Sequence, residues 1–530
     1  GDDYSEDVYC QYAHESNAKI FQQDGFSPLY DEGWNFETIR KENLFLQKVG
    51  NCEMDESLRE RFKAEVRAMR AWTYLGMTMT FGKVPLITEV LDYNSPNIPR
   101  DEVSVIRDFI MKELTEAAAI LPEKYAGGYP NEKGRITKYA CLSLKARAAL
   151  YFGDYALAES TAKEVMDKGG FSLFKISSLS DAQKKEAEEM SLYIDFAEKG
   201  IDKDEFVKGM FNYEALWHTE NANPDNPEYI MTRQYAASSW DYQDMTRYTS
   251  MRPNQLGGWS SVTPTQNLVD AYWGVDGHSV PQLPTPEERA KAYNQIKADL
   301  DAYQKPEGEA KFIAFCQEKI KNGTLKDYKY IQEFRNRDSR MYVSILMPFK
   351  SWYESNYGDK FVYEWIKNGN NESKTGFNFR KMLSLENDAN GDGQATGDYP
   401  CIRYAEILLI YAEAHTQTTG YDAATEAALN QLRDRCGMPD VPSGLSKEEG
   451  LKLIQNERRI ELAGEGFRGD DMTRYSDDYW KEHMNNVPIM TPDGDTELTM
   501  KWSSRMRLKP IPQTAIDLNP LLAGDQNPGY

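Results

Sequence analysis

Two stretches far apart in the chain are written in the same helical grammar. The first, TKYACLSLKARAALYFGDYALAESTAKEVMDKGG, begins at Thr137, and the second, RYAEILLIYAEAHTQTTGYDAATEAALNQLRDRCG, begins at Arg403. Each reads as two antiparallel helices around a short turn, at Gly153 and Asp154 in the first and at Gly420 and Tyr421 in the second. Small residues let the helices approach closely: Ala158 and Ala162 in the first pair, Ala412, Ala414, Ala424 and Ala428 in the second. These are tetratricopeptide-like hairpins, but no fixed period of roughly 34 residues joins them. The pattern therefore predicts a mainly α fold, a helical repeat scaffold interrupted by a long insertion. A further helix is predicted from Leu58, with Phe62, Val66, Met69, Trp72, Leu75 and Met79 as its inward stripe and Gly82 and Pro85 as its stop. Another is predicted from Asp101, with Val105, Phe109, Ile110 and Leu114 inward, ending before Pro122.

The chain divides on this reading into an N-terminal helical part (1–170), a loop-rich part (171–400) and a C-terminal return to the scaffold (401–530). The middle part holds most Gly, Pro, Asn and aromatic clusters, including WDYQDMTRYTSMRPNQLGGWSS from Trp240. Loops carried on a rigid frame are where binding usually sits. At 530 residues the chain is too long for one small core. Lys plus Arg total 62 against 84 Asp plus Glu, a formal charge of −22, which sets nucleic acid aside as a partner. Six cysteines without CxxC or zinc spacing make no disulfide scaffold. The most apolar stretch, from Ile402, carries Arg403, Glu406 and Glu413 and is too short to span a bilayer.

Several segments, in order, resemble the SusD and RagB family of outer-membrane nutrient-binding lipoproteins of Bacteroidetes. KAEVRAMRAWTYLGMTMTFGKVPLI from Lys63 and GRITKYACLSLKARAALYFGD from Gly134 are similar to the family's first helices. TPTQNLVDAYWGVDG, NRDSRMYVSILMP, TGFNFRKM and IRYAEILLIYAEA follow, then NERRIELAGEGFRGDDMTRY from Asn456, in which Gly469 replaces a usual aromatic. The ending, LKPIPQTAIDLNPLLAGDQNPGY, resembles the family's terminus. The resemblance implies a non-catalytic surface protein that captures oligosaccharide or polysaccharide and caps a SusC-like TonB-dependent transporter. It would touch the outer membrane through a lipid alone, on a Cys upstream of Gly1, because no lipobox surrounds Cys10.

A glycan site needs flat aromatic faces flanked by amide, carboxylate or guanidinium groups. The candidate platforms are Tyr93, Trp240, Tyr242, Trp259, Trp352 and Tyr353, with Asp241, Arg247, Arg252 and Asn254 as polar partners. Trp is highly buried on average, so a ring packed beneath its own loop is the competing expectation for each. Asp388, Asn390 and Asp392, with Gln394 next in the alternation, match the start of a calcium loop. Tyr399 stands where its twelfth-position Glu belongs, and Asp398 is the substitute one residue earlier. A solvated Asn/Asp/Gly turn explains the same residues, so calcium is an optional cofactor and none is required.

Enzyme readings find no anchor. Glu457, Glu461 and Glu465 share one helical face, but Arg458, Arg459 and Arg468 beside them make an ion-pair ladder the expectation. GEGFRG from Gly464 follows a helix rather than a strand and is predicted to open none, which removes it as a nucleotide loop. The five histidines are scattered, with no HExxH and no GxSxG. A glycoside hydrolase would need two carboxylates in one cleft, and a peptide-binding tetratricopeptide scaffold would need a polar concave groove with basic clamps.

Overall fold

The computed structural model describes residues 2–92, 94–126, 132–235, 251–354, 361–383 and 396–530. It is mainly helical. The scaffold helices are α1 (Glu56–Phe81), α2 (Val103–Ile120), α3 (Lys138–Tyr151), α4 (Tyr155–Lys168), α5 (Lys203–Ala215), α6 (Tyr404–Thr418), α7 (Ala423–Cys436) and α8 (Lys447–Glu461). Several of their starts follow from capping. Thr137, Asp154 and Asp422 each accept a backbone N–H of the first turn, at α3, α4 and α7. Both predicted hairpins are present, α3–α4 and α6–α7.

What the hairpins do to one another explains their distance in sequence. α1, α2, α3 and α4 pack in succession, α4 then packs on α6, α6 on α7, and α7 on α5. The alanines Ala158 and Ala162 are fully buried in this row, as are Ala405, Ala412 and Ala414 of α6. α3 and α6 bury nearly every residue, as expected of helices apolar on all faces. Their charges are paired: Arg147 of α3 donates to both carboxylate oxygens of Glu406 at 2.7 and 2.6 Å, and Glu413 accepts from Arg474. Among the described residues no helix is long and apolar enough to cross a membrane.

The inward stripes differ from those expected. α1 buries Ala64, Ala68, Ala71, Leu75 and Thr78, while Met69 is 37% exposed. The large residues Leu58, Phe62 and Val66 are only partly covered. The buried face mixes the small residues with Tyr74, which packs on Phe109 of α2, and with Met77 and Phe81, so the apolar stripe read from side-chain size is displaced from it. α2 likewise turns Ile106, Ile110 and Leu114 inward and leaves Val105 45% exposed.

The middle part contributes helices of its own, among them Asp181–Glu189, α5, Pro286–Ala302 and Lys311–Lys321. One hydrophobic cluster takes residues from Val8 to Ala463 and so draws on all three parts of the chain. A close crossing fixes α5 against the end of α7: a Cβ on Gly209 would lie 2.1 Å from Gly437 N, and Gly437 itself has φ 67°.

The strands are short and join distant segments. β1 (Val8–Cys10) pairs antiparallel with β3 (Val262–Pro264), and β2 (Tyr229–Arg233) with β6 (Tyr399–Arg403). β4 (Ile345–Leu346) pairs with β5 (Asn378–Phe379).

Candidate ligand-binding site

The β1–β3 pair builds the exposed aromatic patch. With Cys10 opposite Val262, the chain leaving β1 runs beside the chain entering β3, and Gln11 N–H donates to Ser261 O at 2.9 Å. Gln11 Nε2 fastens the same loop by donating to the carbonyls of Trp259 and Ser260 at 2.9 and 2.7 Å. Ser260 takes a left-handed backbone, φ 46°, at the foot of the Trp259 ring. Trp259 is thereby left 36% exposed with Tyr12 edge-on to it, ring centroids 6.4 Å apart and planes at 77°. His14, largely exposed, lies 5.5 Å from the Tyr12 ring.

Polar groups flank these rings. Tyr12 Oη donates to Asn371 Oδ1 at 2.9 Å, and Ser261 Oγ donates to Glu15 Oε1 at 2.9 Å. Glu372 is buried next to Asn371, and its carboxyl is pushed up to about 7 by burial, against the hydrogen bond from Asn254. The patch thus offers a part-exposed Trp ring with a Tyr ring set across it, the Asn371 amide and the Glu15 carboxylate, with Glu372 enclosed behind them, a set suited to stacking on an apolar C–H face beside hydroxyls.

Of the expected platforms, Trp259 lies here with its expected polar neighbour Asn254. Arg252 is buried behind the loop, its carbonyl accepting from Ser260 N at 3.0 Å. Trp352 is a correction. It is 2% exposed, edge-on to Phe361 with the Arg380 guanidinium 5.1 Å from its ring, so it packs the core and is no platform. Tyr353 is partly covered and donates its hydroxyl to Glu189. Tyr93, Trp240, Asp241, Tyr242 and Arg247 lie outside the described residues, as do Asp388, Asn390, Asp392 and Gln394 of the calcium expectation. Asp398 is described and buried, accepting from Tyr235 N at 3.2 Å and Thr232 Oγ1 at 3.4 Å, and burial pushes its carboxyl up to about 6.

Tyr12, His14 and Asn371 were not singled out in the sequence. The only local signal for them is the aromatic run at Tyr9 and Tyr12, which means nothing until β1 pairs with β3.

The carboxylates Glu457, Glu461 and Glu465 form no cleft. Helix α8 ends at Glu461, Glu465 sits in the turn beyond it, and all three are buried. Their partners are not the adjacent arginines, contrary to expectation. Glu457 accepts from Arg340 Nη1 at 2.8 Å and Arg433 Nη2 at 2.7 Å. Glu461 accepts from Arg403 at 2.8 Å, Arg340 at 3.0 Å and Arg435. Glu465 accepts from Arg403 Nε and Lys381 Nζ, both at 2.7 Å. Arg458, Arg459 and Arg468 turn instead to Asp471, Asp7 and Glu6. Burial alone would raise the Glu457 carboxyl, but the Arg340 and Arg433 guanidiniums outweigh it and hold the group at about 2. An enclosed, permanently ionised carboxylate has no proton to exchange near neutral pH.

The GEGFRG turn is also occupied from within. It opens a short helix, Arg468–Arg474, which the sequence reading did not expect. Its Gly466 and Arg468 N–H groups donate to the Asp2 carboxylate at 3.1 and 2.6 Å, so its anion is a residue of this chain.

A model of the SusD family matches residues 227–530. SusD-like protein P38 of Formosa agariphila is 22% identical over 475 residues, covering 87% of this chain and 73% of that protein. A SusD-like protein from Bacteroides fragilis has a similar solved structure, with TM-score 0.74 and 24% identity over 100% of this chain and 92% of that one. A SusD-like carbohydrate binding protein, also from Bacteroides fragilis, superposes with TM-score 0.70 and 21% identity over 98% of this chain and 91% of that one.

Proposed function

This chain belongs to the SusD family, and from that premise we propose that it is a non-catalytic cell-surface protein that binds oligosaccharide at the patch around Trp259. The observation that supports this reading is a part-exposed Trp ring with a Tyr ring set across it and the Asn371 amide and Glu15 carboxylate nearby. The carbohydrate-binding relative points to the same ligand class. The carboxylates that could suggest hydrolysis, Glu457 and Glu461, are neutralised by guanidiniums in the interior.

The finer reading is delivery. Capture at the surface serves uptake only if the ligand passes to a pore, so the protein would act as the lid of a TonB-dependent transporter, tethered by an N-terminal lipid. Such an interface should exceed the roughly 1,600 Å² of a standard complex, because a lid must stay attached through repeated opening. Mild detergent extraction followed by pull-down should recover a large barrel stoichiometrically; the protein recovered alone, from cells growing on the glycan, sinks the lid.

The test of binding itself is affinity electrophoresis and calorimetry against a panel of soluble polysaccharides, with product release assayed in the same samples. Binding without release supports the proposal. Released sugar would make the protein a hydrolase, and peptide binding with no glycan bound would make it a scaffold.

A further inference from the structure

One cluster lies outside both the aromatic patch and the interior network around α8. Glu214, in the last turn of α5, and His218, one turn on, meet Glu354 from the other side. One ligand atom from each lies within 4.8 Å of the other two. All three are potential acceptors, and such a set cannot face itself without a proton or a cation between its members.

Two features favour a cation. The first is orphaned oxygen: Glu214 Oε2 and Glu354 Oε2 are buried and accept no hydrogen bond, although the Glu214 side chain is only 4% exposed. The second is that the far oxygen of each carboxylate is held. Arg380 Nε donates to Glu214 Oε1 at 2.5 Å, and Ser180 Oγ donates to Glu354 Oε1 at 3.0 Å. His218 Nδ1 faces Glu220 Oε1 at 3.7 Å. Anchored carboxylates are the outer-shell arrangement that fixes metal ligands, and the Glu220 carboxylate stands close enough to the imidazole to act on it by charge.

One of the three spacings also fits. His218 Nε2 lies 3.6 Å from Glu354 Oε2, longer than the roughly 2.7–2.9 Å of a charge-assisted hydrogen bond. Two ligands each about 2.0–2.2 Å from a tetrahedral ion stand about 3.3–3.6 Å apart. Charge agrees, since of Glu214, Glu354 and Glu220 it is Glu214 that Arg380 contacts, and Glu186 already shares that guanidinium at 2.6 and 2.9 Å.

We infer that Glu214, His218 and Glu354 form a divalent transition-metal site, best suited to zinc, that ties the end of α5 to the 354 segment. One imidazole and two carboxylates suit zinc or manganese, whereas calcium prefers an all-oxygen shell. The fourth position is left to water, and the role is structural.

The test uses the untagged full chain after dialysis against chelator, titrated calorimetrically with zinc chloride and, separately, calcium chloride. One equivalent of zinc should bind, with calcium at least about tenfold weaker, and zinc should raise the melting temperature. Cobalt(II) in place of zinc should give tetrahedral visible bands without a thiolate charge-transfer band, which separates this site from the exposed Cys52 thiol. His218→Gln and Glu354→Gln should abolish stoichiometric uptake, and Glu220→Gln should weaken it by about tenfold through the outer shell. Should His218→Gln fail to fold, Glu354→Gln and Glu220→Gln still carry the comparison. No stoichiometric zinc in the parent chain, or uptake unchanged in the folded variants, overturns the site and leaves a proton shared by His218 and Glu354.

Discussion

The interior around α8 and the rim around Trp259 follow opposite rules. In the interior, charges are fully enclosed and each is matched: Arg403 alone touches Glu228, Glu461 and Glu465. On the rim, rings and amides are held by a few hydrogen bonds from loops and left facing solvent. Many of the interior partners come from NRDSRM, FNFRKM, IRYAE and NERRIEL, segments that also carry the family resemblance, and the rest from Glu228 and from Arg433 and Arg435 of α7. The order of those segments along the chain thus reflects the requirement that distant parts of it meet in one charged centre. The rim answers to no such requirement, which is why it is free to be a site.

The largest effect expected from breaking this contrast is at Arg403. Arg403→Ala takes one cation from each of three buried carboxylates, and removing one partner of a buried ion pair costs about 3–5 kcal/mol. Urea denaturation should show that loss or no folded protein, and a normal midpoint would mean the network is dispensable. Trp352→Ala tests the core side of the comparison with a residue from the loop-rich part: it should cost about 3 kcal/mol by leaving a cavity against Phe361. Glycan affinity of the folded fraction should not move.

Acid separates the two regions without mutation. The Glu457 carboxyl, ordinarily near 4.5, is held at about 2 in the folded protein. Between these values the unfolded chain binds more protons than the folded one. The stabilisation is therefore whole above about pH 4.5 and drains away as pH falls toward 2, by about 3 kcal/mol from this group. The melting temperature should drop steeply below pH 4.5. Glu457→Gln should lower stability at neutral pH and flatten that acid limb; an unchanged limb would assign the acid sensitivity elsewhere.

The two regions were not equally legible in the sequence. The hairpins were, because a helical period, an Asp or Thr cap and a Gly turn are all local. The charged centre was not: Glu457 and Glu461 were visible as a face, but Arg340, Arg403, Arg433 and Arg435 reach them from separate segments, and adjacency pointed wrongly to Arg458 and Arg459. Residue type and loop setting pointed alike to Trp259, whose ring is part-exposed, and to Trp352, whose ring is buried, since nothing local distinguishes a ring over a loop from a ring under it. The Glu214, His218 and Glu354 trio needed a partner far along the chain, so scattered histidines looked empty.

On the rim, Trp259→Ala should remove about 2 kcal/mol of glycan affinity, roughly thirtyfold, because a stacking ring concentrates binding energy. Its melting temperature should stay near that of the parent, since the ring is 36% exposed. Equal affinity on a confirmed ligand would move the site away from this patch.

The finest test concerns whether the rim is prearranged. Tyr12 Oη donates to Asn371 Oδ1 at 2.9 Å, which fixes the Tyr12 edge against Trp259 and engages the amide oxygen. Tyr12→Phe keeps the ring and removes one hydrogen bond between partly covered groups, worth about 1 kcal/mol at most. If the bond serves only the loop, stability falls slightly and affinity does not change. If it presets the patch, affinity falls severalfold, because ordering that the fold had already supplied must now be met on binding. Calorimetry distinguishes the cases, since the second adds an unfavourable entropy to binding while the enthalpy of stacking on Trp259 persists. We expect the second, because Asn371 has a left-handed backbone, φ 53°, and stands beside the buried Glu372. A side chain held on so constrained a segment moves little when its partner is correct and has much further to travel when that partner is lost.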